Sequence, residues 1–296
     1  MKEETTPSSS GAILENVAVL GAGTMGHGIA QVAALAGHRV LLHDPSAEAL
    51  DQGLVRIRDN LEKGVELGKV SPEARDLTLA RILTSTTLEE AVSEATIVIE
   101  AVPEKLELKR GLLAQLEASS GPTALLATNT SSLSIDALAQ ALERPNRFLG
   151  LHFFNPVHIM ALVEVVQGSA TDADTLDRGV DFAQGLGKEP IVVRDSPGFA
   201  SSRLGVVLGL EAIRMLEEGV ASAQDIDRAM ELGYRHPMGP LRLTDLIGLD
   251  VRLEIAEYLH RTLDSEHFRP PELLRQMVRA GHLGRKSGKG FYSWDD

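Results

Sequence analysis

The chain has 296 residues, enough for two modest domains, with 43% hydrophobic and 24% charged residues, a balance ordinary for a globular protein. Its 42 acidic residues against 29 Lys plus Arg give a formal charge of −13, which argues against nucleic acid or an anionic membrane as main partner and leaves a small anionic ligand open. Cysteine is absent, which removes disulfides, thiolate chemistry and Cys-ligated metal centres and fits a cytoplasmic protein.

Residues 1–12 are polar, lack the apolar stretch of a signal peptide and read as a disordered leader. No run of about 18 apolar residues follows, so no spanning helix is expected. Asn16–Leu20 is a short apolar strand that stops at glycine, and residues 24–36 read as the helix after it. Residues 39–44 form the next strand, followed by a charged helical stretch at 46–67 and a second at 72–80. Residues 96–100 and 124–128 are continuous apolar strands flanking a helix at 105–117, and 148–152 is another. Such runs alternating with helices predict an α/β, doubly wound, mostly parallel sheet covered on both faces. Residues 163–166 and 191–193 are expected to extend that sheet beyond its alternating part. From Phe199 onward the pattern is helical. Within residues 204–216 nine apolar positions cover nearly the whole circumference of a helix, so it must be buried on several sides. Two readings remain open for it, a central core helix or one shared with a homodimer interface.

Gly21-Ala-Gly23-Thr24-Met25-Gly26 follows the first strand and opens the first helix. The first glycine permits the tight turn, the second lets main chain approach a pyrophosphate, and the third allows close helix–strand packing. Asp44 ends the second strand, 23 residues after Gly21, where a carboxylate accepts from adenosine ribose hydroxyls and repels a 2′-phosphate. Alone, Asp44 reads equally as a helix-entry turn residue. With Pro45 and Ser46 after it and no arginine, the motif predicts NAD rather than NADP. The domain reading is therefore a Rossmann-type NAD-binding domain with a long helical hairpin at 13–196, then an all-α C-terminal domain at 197–296 for substrate binding and dimerisation.

Ligands of a doubly wound sheet bind beyond the carboxyl ends of its strands. Three polar clusters fall there, at residues 100–104, 128–132 and 152–155. His152 ends an apolar strand, and a return strand would bring Glu164, 12 residues on, alongside it. A histidine held by a carboxylate is a unit of general acid–base catalysis, although one such pair in isolation is equally a satisfied buried histidine. The convergence of the three clusters favours a working one.

Gly21–Gly26, the run Asn129-Thr-Ser-Ser-Leu133, His152-Phe-Phe-Asn-Pro156, Asp195-Ser-Pro-Gly-Phe199, Pro237-Met-Gly-Pro240, Asp245-Leu-Ile-Gly-Leu-Asp250 and the late Gly284-Arg-Lys-Ser-Gly-Lys-Gly-Phe-Tyr292 occur in order. Together they resemble the 3-hydroxyacyl-CoA dehydrogenase family in its stand-alone 3-hydroxybutyryl-CoA form, from about residue 14 to the C-terminus. The resemblance implies reversible hydride transfer between C3 of an (S)-3-hydroxyacyl thioester and NAD. It makes His152 the general base, Glu164 its support and Ser131 a hydrogen-bond donor to the substrate oxygen. It also maps Glu104, Lys109, Asn155 and Lys286 to the nicotinamide half of the cofactor. Glu104 and Lys109 read alternatively as solvated charges at a helix start, and Lys286 as a surface lysine.

Two departures from the family pattern bear on substrate. Ser202 stands where the family has an asparagine after Asp195-Ser-Pro-Gly-Phe199, and its shorter hydroxyl would have to serve the thioester carbonyl. His158 and Ala161 stand where proline and lysine are common, and His158 reads as an exposed loop residue. Arg56, Arg58, Lys63 and Lys69 line the helical hairpin that the family turns toward the CoA phosphates, or are simply a solvated face. The resemblance implies short-chain acyl-CoA as the substrate. A carrier-protein thioester is the alternative, and a redox-inactive NAD-binding protein a more distant one.

Overall fold

The computed structural model describes residues 14–294, so the leader lies outside the described residues. The chain divides into two units, one ending at Asp195 and the other starting at Ser196.

The first unit runs β1 (Asn16–Leu20), α1 (Gly26–Leu35), β2 (Arg39–His43), α2 (Ala47–Glu66), α3 (Pro72–Ala80), β3 (Ile82–Ser85), α4 (Leu88–Val92) and β4 (Ile97–Glu100). It continues through α5 (Leu106–Ser119), β5 (Leu125–Thr128), α6 (Ile135–Ala139), β6 (Phe148–Phe153), β7 (Leu162–Gln167), α7 (Ala173–Gly185) and β8 (Glu189–Arg194). The eight strands form one sheet in the order β3-β2-β1-β4-β5-β6-β7-β8. Neighbours are parallel from β3 through β6; β7 turns back antiparallel to β6, and β8 runs parallel to β7. Every residue of β4, β5 and β6 is buried, which explains their unbroken apolar runs: central strands are covered on both faces. The order reverses about β1, between β2 and β4, and that switch point opens the crevice above their carboxyl ends.

The helices follow local rules. Ser46 and Ser71 accept from the main-chain N–H groups of Ala49 and Ala74 and so cap α2 and α3, the latter with proline in its first turn. Only Leu50, Gly53, Ile57 and Leu61 of α2 are buried, one stripe at helical spacing, and both α2 and α3 pack on α1. Helix α1 begins at Gly26, later than its apolar pattern suggests, because the glycine turn uses the residues before it.

Four elements are not evident as apolar patterns: β3, α4, α6 and α7. β3 is the sheet edge, with Leu83 exposed. α7 carries few apolar side chains and starts at Asp172, whose side chain accepts from the Thr175 N–H. It lies close on β6 through Gly179, where a Cβ would fall 2.7 Å from Leu149.

The second unit holds α8 (Ser201–Glu217), α9 (Ala223–Gly233), α10 (Pro240–Ile247), α11 (Leu249–Leu263) and α12 (Glu272–Arg279) around Leu210, Ile213, Leu241, Leu249 and Leu259. Buried Asp245 accepts from the Phe291 and Tyr292 N–H groups and from the Trp294 indole, which pins the C-terminal segment to α10. Helix α8 is less enclosed than its composition predicts. Val206, Leu210, Ala212 and Ile213 are buried, whereas Leu204 is 68% exposed, because composition counts apolar residues and not the neighbours available to cover them.

Candidate active site

The glycine turn is shaped by close approach. Gly21 sits at φ +97°, where a Cβ would meet the Ala101 carbonyl at 2.8 Å, and a Cβ on Gly26 would lie 1.7 Å from the Gly21 oxygen. Gly23 is exposed, and nothing lies within 4 Å of the position its Cβ would take, so main chain faces open space there. Thr24 and Met25 complete the turn into α1. Asp44, just past β2, accepts from the Ala22 N–H and the Ser46 N–H, each at 3.0 Å. It is thus a helix-entry turn residue, and it also braces the glycine loop. An open cradle of amides beside a carboxylate at the tip of β2 fits a dinucleotide.

The β6–β7 register pairs His152 directly with Glu164, so both side chains share one face of the sheet. His152 Nδ1 lies 2.7 Å from Glu164 Oε2, with the residues 6% and 0% exposed, and the Phe154 ring packs tilted on the imidazole. Asn129, past the end of β5, accepts from the Phe153 N–H at 2.9 Å and ties the tips of β5 and β6 together.

Beside them lies a charged network that the apolar pattern hides. Glu100 ends β4 fully buried and accepts from Lys109 Nζ, the Val102 N–H and the Thr128 hydroxyl, each at 2.7 Å. Lys109 is only 1% exposed; it also donates to the Val102 carbonyl and lies 3.3 Å from Glu104 Oε2. Glu104 Oε1 accepts from the Thr130 hydroxyl at 2.6 Å and from the Ser131 and Ser132 N–H groups at 2.9 and 3.2 Å. Burial pushes the Glu104 carboxyl up, but the Lys109 cation and the bonds from Thr130 and Ser131 outweigh it and hold it below the usual carboxylate range. The solvated-helix-start reading of Lys109 is therefore wrong: α5 carries it inward over Glu100.

A cavity of about 350 Å³ joins these groups, with Met25, Glu104, Lys109, Ser131, His152 and Asn155 in its wall. A larger one of about 420 Å³ opens at the opposite ends of β1 and β2, beside Asn16, Arg39 and Arg81, away from this chemistry. A carboxylate-held imidazole next to a hydroxyl and a dinucleotide cradle can move a proton beside a bound cofactor. Ser202 and Lys286 belong to the second unit. Ser202 lies in the first turn of α8, entered through Gly198 at φ +76° and Phe199 at φ +47°, and Lys286 Nζ lies 2.6 Å from Asp250. Glu100 and Asn129 carry roles that their place in the polar clusters did not reveal. The available signal for Glu100 was an acid closing a fully apolar strand with a lysine nine residues on.

Comparison with known proteins covers both units. Residues 16–196 match the family model of the 3-hydroxyacyl-CoA dehydrogenase NAD binding domain, and residues 198–294 match that of the C-terminal domain. The chain is 45% identical over 283 residues to the 3-hydroxybutyryl-CoA dehydrogenase of Bradyrhizobium diazoefficiens, covering 96% of each. It is 41% identical to the mitochondrial hydroxyacyl-coenzyme A dehydrogenase of Sus scrofa, across 97% of this chain and 93% of the other. The crystal structure of the (S)-3-hydroxybutyryl-CoA dehydrogenase of Ralstonia eutropha superposes with a TM-score of 0.92 at 41% identity, covering 96% of this chain and 100% of that one.

Proposed function

This chain belongs to the 3-hydroxyacyl-CoA dehydrogenase family, and from that premise we propose how its own side chains carry the NAD-dependent interconversion of an (S)-3-hydroxyacyl-CoA and a 3-oxoacyl-CoA. These relatives are named for 3-hydroxybutyryl-CoA, and the short-chain pair of that thioester and acetoacetyl-CoA is the substrate assigned to this chain. The Gly21–Gly26 turn would hold NAD, whose nicotinamide would supply the hydride acceptor for C3 of the substrate.

The observation that carries the reading is the buried 2.7 Å contact between His152 and Glu164 at the carboxyl end of β6. A carboxylate only accepts, so the pair assigns the proton on Nδ1 to that bond and gives exchange with the substrate to Nε2. In oxidation His152 takes the C3 hydroxyl proton, and in reduction it returns one. Glu164 fixes the ring and stabilises its cation. Ser131 donates to the substrate oxygen, its main chain held by Glu104, which Lys109 steadies in turn. The Gly21–Gly26 turn with Asp44 holds the adenosine and phosphate half of the cofactor, and Glu104, Asn155 and Lys286 serve its nicotinamide half. Ser202 takes the family asparagine's place toward the thioester carbonyl. The exposed apolar side chains Leu204, Leu232, Tyr234 and Ile247 support a homodimer through the helical unit. Light scattering at micromolar concentration checks it, a monomer mass being the contrary result.

NADH oxidation with acetoacetyl-CoA tests the reading. Turnover is expected, and tight NADH binding without turnover would sink it. Ser202→Asn restores a longer donor and acceptor, and kcat is expected to rise by up to about 100-fold if the serine is too short to reach. Asp44→Ala removes a carboxylate that braces the loop and meets the ribose. Its NADH Kd is expected to rise about 10- to 100-fold, with preference over NADPH narrowed, as read by fluorescence titration.

A further inference from the structure

A third cavity of the first unit, about 300 Å³, lies on the α2 side of the glycine turn and shares Asn155 with the active-site cavity. Its wall carries His27 of α1, Arg56, Asp59 and Asn60 of α2, and His158 of the loop after β6. Lys188, just before β8, is buried behind that loop and donates to the Val157 and Met160 carbonyls, the latter at 2.9 Å. The cavity therefore faces one guanidinium, two imidazoles and a nearby ammonium against a single carboxylate, Asp59. Arg56 forms no salt bridge among the described residues.

The imidazoles are the unusual part, since nothing in the proton transfer uses them. His27 Nδ1 lies 2.7 Å from the Gly23 carbonyl, which only accepts, so the proton sits on Nδ1 and the neutral ring has only an acceptor at Nε2. Protonation turns Nε2 into a charged donor. Burial lowers the His27 pKa, the Gly23 bond raises it and the Arg56 cation lowers it, with a net fall. His158 is exposed, yet desolvation, then His27, then Lys188, lower its pKa as well. Burial first, and the neighbouring cations after it, thus weigh against the charged form of each ring, and an entering anion offsets that penalty.

We propose that this cavity is a proton-linked phosphate subsite, in which His27 and His158 join Arg56 as cations when a nucleotide phosphate enters. It rests on the substrate reading above, because the phosphate assigned to it is one carried by the CoA handle. The glycine turn offers its own amides to the cofactor's phosphates; Thr24 of that turn also lines this cavity and His27 is bonded to its Gly23 carbonyl, whereas Arg56 and His158 come from α2 and the loop after β6. The sign follows from linkage: an anion raises the imidazole pKa values, so binding takes up protons and tightens as pH falls toward them. One proton taken up changes affinity by up to about tenfold per pH unit.

Calorimetric titration of the full chain with CoA, pantetheine and NADH at about pH 6 and about pH 8 reads this directly. CoA is expected to bind about tenfold or more tighter at the lower pH, and pantetheine, which lacks the phosphates, to show no such slope. The double variant His27→Gln/His158→Gln is expected to flatten the CoA slope. Because the variant leaves CoA's own phosphate titration in place, it separates the ligand's protons from the protein's. An equal slope with pantetheine, or a slope that survives in the double variant, overturns the proposal. A slope in NADH affinity instead of CoA affinity moves the subsite to the cofactor and overturns its assignment to the substrate. Failure of the substrate reading looks different: acetoacetyl-CoA is not turned over at either pH.

Discussion

His152→Gln is expected to lower kcat for acetoacetyl-CoA reduction by about 100- to 10,000-fold, the range that a positioned acid–base group contributes. The replacement is chosen for what it keeps. Glu164 is wholly buried and lies 2.7 Å from the ring, so a residue that cannot donate would also disturb a buried carboxylate. Glutamine can supply an N–H to Glu164 and fill most of the space against Phe154, but it cannot take up or release a proton near neutral pH. His152→Ala should lose the same rate and stability besides. Stopped-flow NADH oxidation gives the rate, and thermal unfolding gives the stability. NADH binding should persist in both variants, because the cradle lies at the Gly21–Gly26 turn. Turnover of His152→Gln within about tenfold of the unaltered chain would remove the histidine from the proton path.

The legible part of this site was the part written in local order. A strand that stops at Gly21, an acid closing the next strand at Asp44 and a histidine closing a buried strand all mark the carboxyl end of a parallel sheet. The twelve-residue spacing from His152 to Glu164 suits a hairpin return, and the observed register pairs the two directly. What stayed hidden depends on contacts between segments far apart in the chain. Lys109 sits in a charged helical run and looks solvated; only the packing of α5 carries it over Glu100. β3 is a short, half-exposed edge whose neighbours, not its own residues, make it a strand. α7 buries Thr175, Gly179, Phe182 and Ala183, a face with a single large apolar side chain, so it leaves little apolar trace. The Glu104 link to Ser131 spans 27 residues and two loops, with no periodicity to reveal it.

Lys109→Met tests that hidden network and should be the most destabilising single change in the first unit. Methionine matches the aliphatic stem but removes the ammonium that faces Glu100 at 2.7 Å and Glu104 at 3.3 Å. Glu100 then keeps the Val102 N–H and the Thr128 hydroxyl, with no cation, at a site without exposure. Stranding one member of a buried pair costs about 3–5 kcal/mol, a fall in Tm on the order of 10 °C for a unit of this size. The double variant Glu100→Gln/Lys109→Met removes the stranded charge, so it should recover much of that loss. Such recovery identifies the uncompensated carboxylate as the cause, because two independent lesions would add. Catalysis supplies the second readout. Lys109 also steadies Glu104, which holds the Ser131 main chain, so the double variant should stay folded while its kcat for acetoacetyl-CoA remains depressed. A double variant as unstable as Lys109→Met alone would deny the pairing. One with full stability and full kcat would separate the ion pair from the placement of Ser131.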